Sequence, residues 1–233
     1  MRLIRLIPVA FLLSVAAPVS AQEWIEYSNP TDLFTIVFPS QPTVTEIKWP
    51  SEYSAVFPGR VYSAQNGASK YTVTVIDYRE SEKIHSAIPK HESFQDPRYW
   101  QIDIQASIQY AATKLFRNRP GAKVTYDAWH YIDLVEGHQL QVTNPDQSRS
   151  FVGIYLHENR LYIVEGTVPP GYPEPGMFQQ NLGFMDAKGG RVRYNEIYSN
   201  RLPPLVPRGG GAGRGGGGGG GGRGDGAGRG GAQ

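Results

Sequence analysis

The hydrophobic pattern of the chain changes its period twice, and this limits the folds that it can adopt. Over residues 33–38 and again over 123–134, apolar and more polar residues alternate, which is typical of half-buried β-strands. Over residues 98–118, apolar residues instead recur every three or four positions, which predicts one long amphipathic helix. Asp96-Pro97 supplies a start signal for this helix and Pro120-Gly121 a stop signal.

Short turns separate the remaining predicted elements, so sequential strands should pair antiparallel. The predicted turns include Asn66-Gly67, Glu136-Gly137 and Glu158-Asn159. The predicted strands cover residues 23–27, 33–38, 43–48, 53–64, 70–79, 123–134, 138–143, 149–157, 160–168 and 191–198, and a second, shorter helix covers 175–184. This order predicts a single α+β domain over residues 22–200, with an antiparallel β-sheet covered by one long and one short helix.

Residues 1–21 have the layout of a secretory signal peptide. Arg2 and Arg5 precede a short apolar run, and Val19 and Ala21 are the small residues expected before a cleavage site. An N-terminal membrane anchor is the alternative, but the run is shorter than the ~20 apolar residues that a spanning helix needs. We therefore expect an exported chain, periplasmic or secreted, with no transmembrane segment after cleavage.

Residues 201–233 are predicted to be a Pro-rich linker followed by a disordered tail. Glycine loses more backbone freedom on folding than any other residue, and the tail has almost no apolar side chains to offset that loss. Four arginines against Asp225 give the tail a charge of +3. This charge predicts weak, salt-sensitive contact with anionic surfaces, through Arg208, Arg214, Arg223 and Arg229.

The composition excludes several kinds of site. The absence of cysteine rules out a disulfide scaffold, a thiol nucleophile and a Cys-ligated zinc or iron–sulfur centre. The Arg-Gly-Gly triplets of the tail are typical of single-strand RNA binders. Export, and the lack of aromatic residues between these triplets, argue against a nucleic-acid partner.

Two segments of the chain resemble small exported bacterial domains. Trp24-Ile25-Glu26-Tyr27, followed by residues 33–42 with their F-x-x-x-F-P-x-x-P pattern, is similar to the opening of such domains. Residues 160–164 and 178–184 are similar to their closing segment, except that Asn181-Leu182-Gly183 departs from a serine in that pattern. The group resembles the PsbP/Mog-type superfamily, which implies an antiparallel sheet between helices over residues 22–200. The resemblance also implies an extrinsic subunit, an assembly factor or a protein-binding module, and a fold of this kind carries no chemistry by itself.

The sequence contains no catalytic or cofactor motif that stands out, and we expect no cofactor. The nucleophile elbow G-x-S-x-G and the phosphate-binding glycine loops are absent from the predicted domain. His130 and His138 each lie on an apolar strand face, which is typical of a hydrogen-bonded core histidine. The alternative is a hydrolase or metal-dependent enzyme in which this strand-borne pair converges, with Asp127, Asp133 or Glu136 nearby.

Aromatic residues provide the candidate partner contacts. Trp129 and Tyr131 share the more polar face of the strand predicted over residues 123–134, where either a helix covers them or they form an exposed patch. Tyr172, in the proline-rich segment 168–173, is a further candidate contact. The sequence therefore predicts an exported, non-enzymatic binding or assembly module of the bacterial cell envelope, whose partner is a protein or an envelope polymer.

Overall fold

The computed structural model describes residues 23–89, 98–198, 200 and 202. The chain divides into two units, residues 1–202 and 203–233, and every described residue belongs to the first. The predicted signal peptide and the four tail arginines lie outside the described residues, as does the predicted linker apart from Leu202.

Strands dominate the described part of the chain. In chain order the elements are β1 (Ile25–Asn29), β2 (Phe34–Phe38), β3 (Thr43–Pro50), β4 (Val56–Asn66), β5 (Ser69–Asp77), α1 (Ser81–Ala87), α2 (Tyr99–Ala112), β6 (Lys123–Ile132), β7 (Val135–Thr143), β8 (Arg149–His157), β9 (Arg160–Val168), α3 (Gly176–Gln179), β10 (Gly183–Met185) and β11 (Arg191–Val192). A π-helical turn, Thr113–Arg117, continues α2.

The strands form two antiparallel sheets. The larger has seven strands in the order β3-β4-β5-β9-β8-β7-β6, and the smaller has four in the order β1-β2-β10-β11. Two meanders, β3 to β5 and β6 to β9, join in the larger sheet where β5 pairs with β9. Antiparallel sheets with a few helices confirm the predicted α+β class.

Each face of the seven-stranded sheet carries its own hydrophobic core. The core shared with the four-stranded sheet includes Phe34, Phe38, Tyr62, Tyr155, Tyr162 and Phe184, and the core shared with α2 includes Phe57, Ile104, Phe116, Leu140, Ile154 and Ile163. Successive strand residues point to opposite faces, so Ile154 and Tyr155 of β8 enter different cores. The layers are therefore helix, large sheet and small sheet.

The long helix and the two strands after residue 148 match the sequence prediction closely. Together α2 and its π-helical turn span residues 99–117, where a helix over 98–118 was predicted. The bounds of β8 and β9 are those predicted.

In the described residues, no helix is long and apolar enough to cross a membrane.

The predicted short helix over residues 175–184 is wrong. Only the single turn α3 is helical, and the chain then forms β10, in which Gly183 lies opposite Thr35 and Phe184 opposite Phe34. A Cβ on Gly183 would stand 2.9 Å from Thr35 Cγ2, so this close strand pairing depends on glycine. A second sheet, not a second helix, therefore covers this face.

Two other predicted elements differ at the ends of the domain. The last strand, predicted over residues 191–198, is only the two-residue β11, after which Tyr198 forms an isolated parallel bridge with Val135. The helix α1 lies in a connector for which no element was predicted. Both differences involve segments whose structure depends on contacts with distant parts of the chain.

Candidate partner-binding surface on the β6–β7 hairpin

The strand β6 forms one edge of the large sheet, and β7 is the only described strand that pairs with it. A two-residue turn, Asp133 and Leu134, joins the two strands, and both residues have positive φ (48° and 61°). Positive φ at both positions is the signature of a type I′ hairpin turn. The turn places Ile132 opposite Val135 and Trp129 opposite His138.

The turn predicted at Glu136-Gly137 is therefore wrong, because Gly137 lies within β7. The ring of Tyr155 on β8 packs directly over this glycine: a Cβ there would lie 2.2 Å from Tyr155 Cδ1 and 2.3 Å from the carbonyl oxygen of Ile154. Close packing, not turn geometry, explains the glycine.

A β-bulge in β6 changes which residues point to which face of the sheet on its two sides. The register shifts between Val124 and Tyr126, so that Thr125 has no partner of its own. Val124 lies opposite Val142 and Asp127 opposite Leu140, which places both on the side of α2. Tyr126 therefore lies on the other side of the sheet from Val124, although the two are separated by an even number of positions.

Exposed apolar side chains are concentrated on this hairpin. Five of the nine large apolar side chains that are exposed among the described residues lie on this hairpin or beside its turn: Tyr126 (44% exposed), Trp129 (59%), Tyr131 (44%), Leu134 (38%) and Ile197 (61%). Tyr126 lies on the other face of the sheet from Trp129 and Tyr131, and we call the remaining four side chains the hairpin patch. Ile197 joins the patch because the N–H of its neighbour Tyr198 donates to the Leu134 carbonyl at 2.9 Å. No helix covers Trp129 and Tyr131 in the described part of the chain, so of the two arrangements considered the structure has the exposed one; partner contact there stays a prediction.

A partly buried polar network lies beside Trp129. The indole ring meets the ring of His138 edge-on, with centroids 5.4 Å apart, and His138 is buried. Arg117 donates two hydrogen bonds to Asp127, at 2.7 and 3.0 Å, and a third to Gln109 Oε1 at 2.9 Å. Asp127 in turn accepts a hydrogen bond from His138 Nε2.

Polar groups of this network contact both ring nitrogens of His138. Arginine can only donate, so the Gln109 oxygen must face Arg117 and the Gln109 amide nitrogen must face His138 Nδ1, 3.3 Å away. Nδ1 then accepts, and Nε2 donates to Asp127, which can only accept; the Arg117 Nη2 also lies 3.1 Å from Nε2. The ring that supports Trp129 is thereby held by hydrogen bonds at both nitrogens.

The π-helical turn belongs to this network, because Arg117 is its last residue and also donates to Thr113 Oγ1 at 3.1 Å. π-helical turns are rare, and those that occur are often found at functional sites. The Arg117 guanidinium, and then the hydrogen bond from His138, hold the pKa of Asp127 below its ordinary value. The carboxylate therefore stays ionised and the helix end stays joined to the edge strand.

The structure separates the two histidines considered for an enzymatic site. His138 lies opposite Trp129 on the side of α2, whereas His130 lies opposite Gly137 on the other face of the sheet. The His130 Nδ1 is 2.9 Å from the Tyr155 hydroxyl, and burial lowers the pKa of His130. The predicted alternative required the pair to converge, and this register corrects it. Among the described residues, no group of three or more His, Asp or Glu side chains could hold a metal ion.

Tyr172 is exposed but does not belong to the hairpin patch. The Tyr172 carbonyl accepts a hydrogen bond from Arg149, at the start of β8. Trp129 lies opposite His138 on β7, which lies opposite Ile154 on β8, five residues after Arg149. At about 3.3 Å per residue, the two levels are about 17 Å apart. The candidate contacts therefore form two separate surfaces, and the candidate polyanion contacts Arg208, Arg214, Arg223 and Arg229 lie outside the described residues.

Sequence reasoning missed the polar support of the patch. The sequence predicts a site role for neither Arg117 nor Gln109. The available signal was the pair of opposite charges at Arg117 and Asp127, on elements joined by a short connection. Their contact depends on the π-helical turn and on the bulge in β6, neither of which has a sequence signature here.

Comparison with known proteins finds distant structural likenesses. No family model matches the chain, and no curated protein matches it. The solution structure of the cyanobacterial PsbP protein (CyanoP) of Synechocystis sp. PCC 6803 aligns at a TM-score of 0.36 and 10% identity, covering 67% of this chain and 86% of that one. A protein of unknown function from Pseudomonas aeruginosa aligns at 0.27 and 12% identity, covering 63% and 83%. At TM-scores this low, neither likeness says anything about what this chain does.

Proposed function

We propose that the chain is an exported, non-enzymatic binding or assembly module of the bacterial cell envelope, and that a protein partner docks on the hairpin patch. The observation that carries this proposal is the concentration of exposed aromatic and aliphatic side chains on one edge hairpin. Exposed apolar side chains concentrated in one region mark interaction sites on proteins more often than scattered single residues do.

The chemistry of the patch favours a protein over other partners. Tryptophan and tyrosine are the residue types most enriched among interface anchors, because a large amphipathic ring loses little entropy when it is buried. The network beside Trp129 restricts its surroundings before any partner arrives, and such preorganisation lowers the entropic cost of binding. Export rests on the predicted signal peptide of residues 1–21.

The opposite facing of His130 and His138 supports the non-enzymatic part of the proposal. A metal ion needs ligand atoms about 2 Å away, and a general base needs its partner within hydrogen-bond reach. Two side chains on opposite faces of one sheet cannot bind the same metal ion, and they cannot act as a hydrogen-bonded pair.

Site-specific photo-crosslinking in the producing bacterium tests the proposal. A benzophenone amino acid replaces Tyr131 in one genomic variant and Tyr172 in another, since both side chains are exposed and aromatic. We expect an adduct of defined mass from position 131 and none from position 172. Adding Trp129→Ala should reduce the yield from position 131 at least tenfold.

Stability provides the control for this experiment. Trp129 is mostly exposed, so Trp129→Ala should change the free energy of unfolding by less than about 1 kcal/mol. Equal adduct yields with and without Trp129, in a protein of unchanged stability, would refute docking on the hairpin patch. An adduct from position 172 alone would move the docking site to the other end of the sheet.

A further inference from the structure

The main chain of β6 has a defined outward edge. Residues that flank a two-residue hairpin turn form a hydrogen-bonded pair, so Ile132 and Val135 direct their N–H and C=O groups at one another. The direction alternates along the strand. Asp127, Trp129 and Tyr131 therefore direct their main-chain groups away from β7. The edge-on contact of Trp129 with His138 agrees, because cross-strand pairs without mutual hydrogen bonds stand closer together.

These outward groups have no partner in the described part of the chain. No described strand pairs with the outer side of β6, and no backbone hydrogen bond between described residues reaches it. Each of the three residues offers one N–H donor and one C=O acceptor. A free edge of this kind is a template for another strand.

The opposite edge of the same sheet is protected. The edge strand β3 exposes Glu46 and Lys48 and ends at Pro50, and charged residues and proline are the usual means by which edges are blunted. Between residues 126 and 132, β6 has no lysine and no proline, and its one charged residue, Asp127, is ion-paired with Arg117. One edge is therefore guarded, and the other presents aromatic side chains and no uncompensated charge.

We propose that the partner binds by β-augmentation: an extended peptide segment adds as an eighth strand along Asp127, Trp129 and Tyr131. Main-chain hydrogen bonds supply affinity, and every second side chain of the peptide lies beside Trp129 and Tyr131 on the side of α2. The peptide carries apolar residues at those alternate positions and no proline where its N–H pairs. This inference rests on the proposed function and specifies its binding mode.

A phage-displayed library of random octapeptides provides the probe. Selection against the immobilised mature chain, residues 22–233, should enrich peptides with alternating apolar residues, whose affinity is then measured with synthetic peptide. Tyr131→Ala removes a ring but keeps the outward N–H, whereas Tyr131→Pro removes both. Proline is tolerated on an edge strand whose N–H faces solvent, so both variants should fold.

We expect Tyr131→Ala to weaken peptide binding about tenfold and Tyr131→Pro to weaken it at least a further tenfold. Amide hydrogen exchange of the unmodified protein gives a second readout that needs no variant. Bound peptide should slow exchange of the Trp129 and Tyr131 amides and leave those of Thr45 and Glu46 on β3 unchanged. The β3 amides are the matched control, because they lie on the other edge of the same sheet.

Equal affinities of the two Tyr131 variants, with unchanged exchange at Trp129, would overturn strand addition. The effect of Trp129→Ala on crosslinking tests docking on the hairpin patch whether or not a strand is added. Failure of the binding mode is therefore distinguishable from failure of the proposed function. Enrichment of no peptide also overturns the inference. Concentration-dependent dimerisation that Tyr131→Pro abolishes would assign the edge to a second copy of the chain, and overturns it too.

Discussion

Acid should destabilise this domain through one buried histidine. His157 ends β8 with no exposed surface, stacks on Phe184 with ring centroids 4.4 Å apart, and has its Nε2 2.7 Å from the Tyr194 hydroxyl. Its Nδ1 is buried and has no hydrogen-bond partner among the described residues. Burial, and then the charge of Arg160, lower the pKa of His157 from 6.5 to about 4.

The sign of the effect follows from proton counting. Between pH 6.5 and about 4, the unfolded chain binds a proton at His157 that the folded domain does not, so stability falls as the pH falls. Each pKa unit corresponds to about 1.4 kcal/mol, which gives a loss of about 3 kcal/mol across this window. The contribution is fully present above pH 6.5 and is lost as the pH approaches 4.

Urea unfolding at a series of pH values, followed by tryptophan fluorescence, measures this loss. His157→Phe keeps an aromatic ring against Phe184 but cannot bind a proton, so it should lose about 3 kcal/mol less than the unmodified protein between pH 7 and 4. His130, whose pKa is also lowered, is present in both proteins and cancels. Asp77 and Asp127, whose pKa values are lowered, are likewise present in both proteins, so their contributions cancel in the comparison. Parallel pH profiles for the two proteins would refute the reasoning.

Two further substitutions test a buried ion pair and a close packing contact. Asp32→Ala removes a buried carboxylate that accepts hydrogen bonds from the partly exposed Arg60, and we expect a loss of about 3 kcal/mol in urea unfolding; a loss below about 1 kcal/mol would show that the pair is unimportant for stability. Gly137→Ala should cost about 3 kcal/mol, because its Cβ would overlap the Tyr155 ring, while the matched variant Gly176→Ala, with open space around its Cβ, should be neutral within about 0.5 kcal/mol. Equal stabilities of the two glycine variants would contradict the close packing of β7 on β8.

The elements that could be predicted are those whose signals are local. The long helix has a start signal, a 3.6-residue period and a stop signal within one segment, and β8 and β9 are short apolar runs joined by a tight turn at Glu158 and Asn159. The segment 175–184 has helical spacing as well, but β10 forms there because β2 provides a free edge for pairing. The pairing strand β2 lies about 150 residues away in the sequence, so no local pattern around residues 175–184 indicates it.

The site shows the same division between local and non-local information. A period of two is enough to place Trp129 and Tyr131 on one face, but the facing of His138 depends on where the hairpin turns. The turn uses Asp133 and Leu134, two residues with positive φ that are not glycine. The glycine nearby, Gly137, serves the packing of Tyr155 instead. A shift of one residue reverses the face of every side chain, so the alternative in which His130 converges with His138 is excluded by the position of the turn.

The Arg117–Asp127 ion pair explains how an open edge can be selective. A free edge with aromatic side chains invites pairing with any extended chain, including aggregation-prone ones. Asp127 and Trp129 share one face and direct their main-chain groups outward together, so a strand that reaches Trp129 must also pass the ion pair. A large apolar residue beside Asp127 would desolvate the pair without replacing its water contacts, which is unfavourable for partly exposed charges. Peptides selected on this edge should therefore combine apolar residues beside Trp129 and Tyr131 with a small or polar residue beside Asp127. A selection that returned uniformly apolar sequences would show that the ion pair exerts no such discrimination.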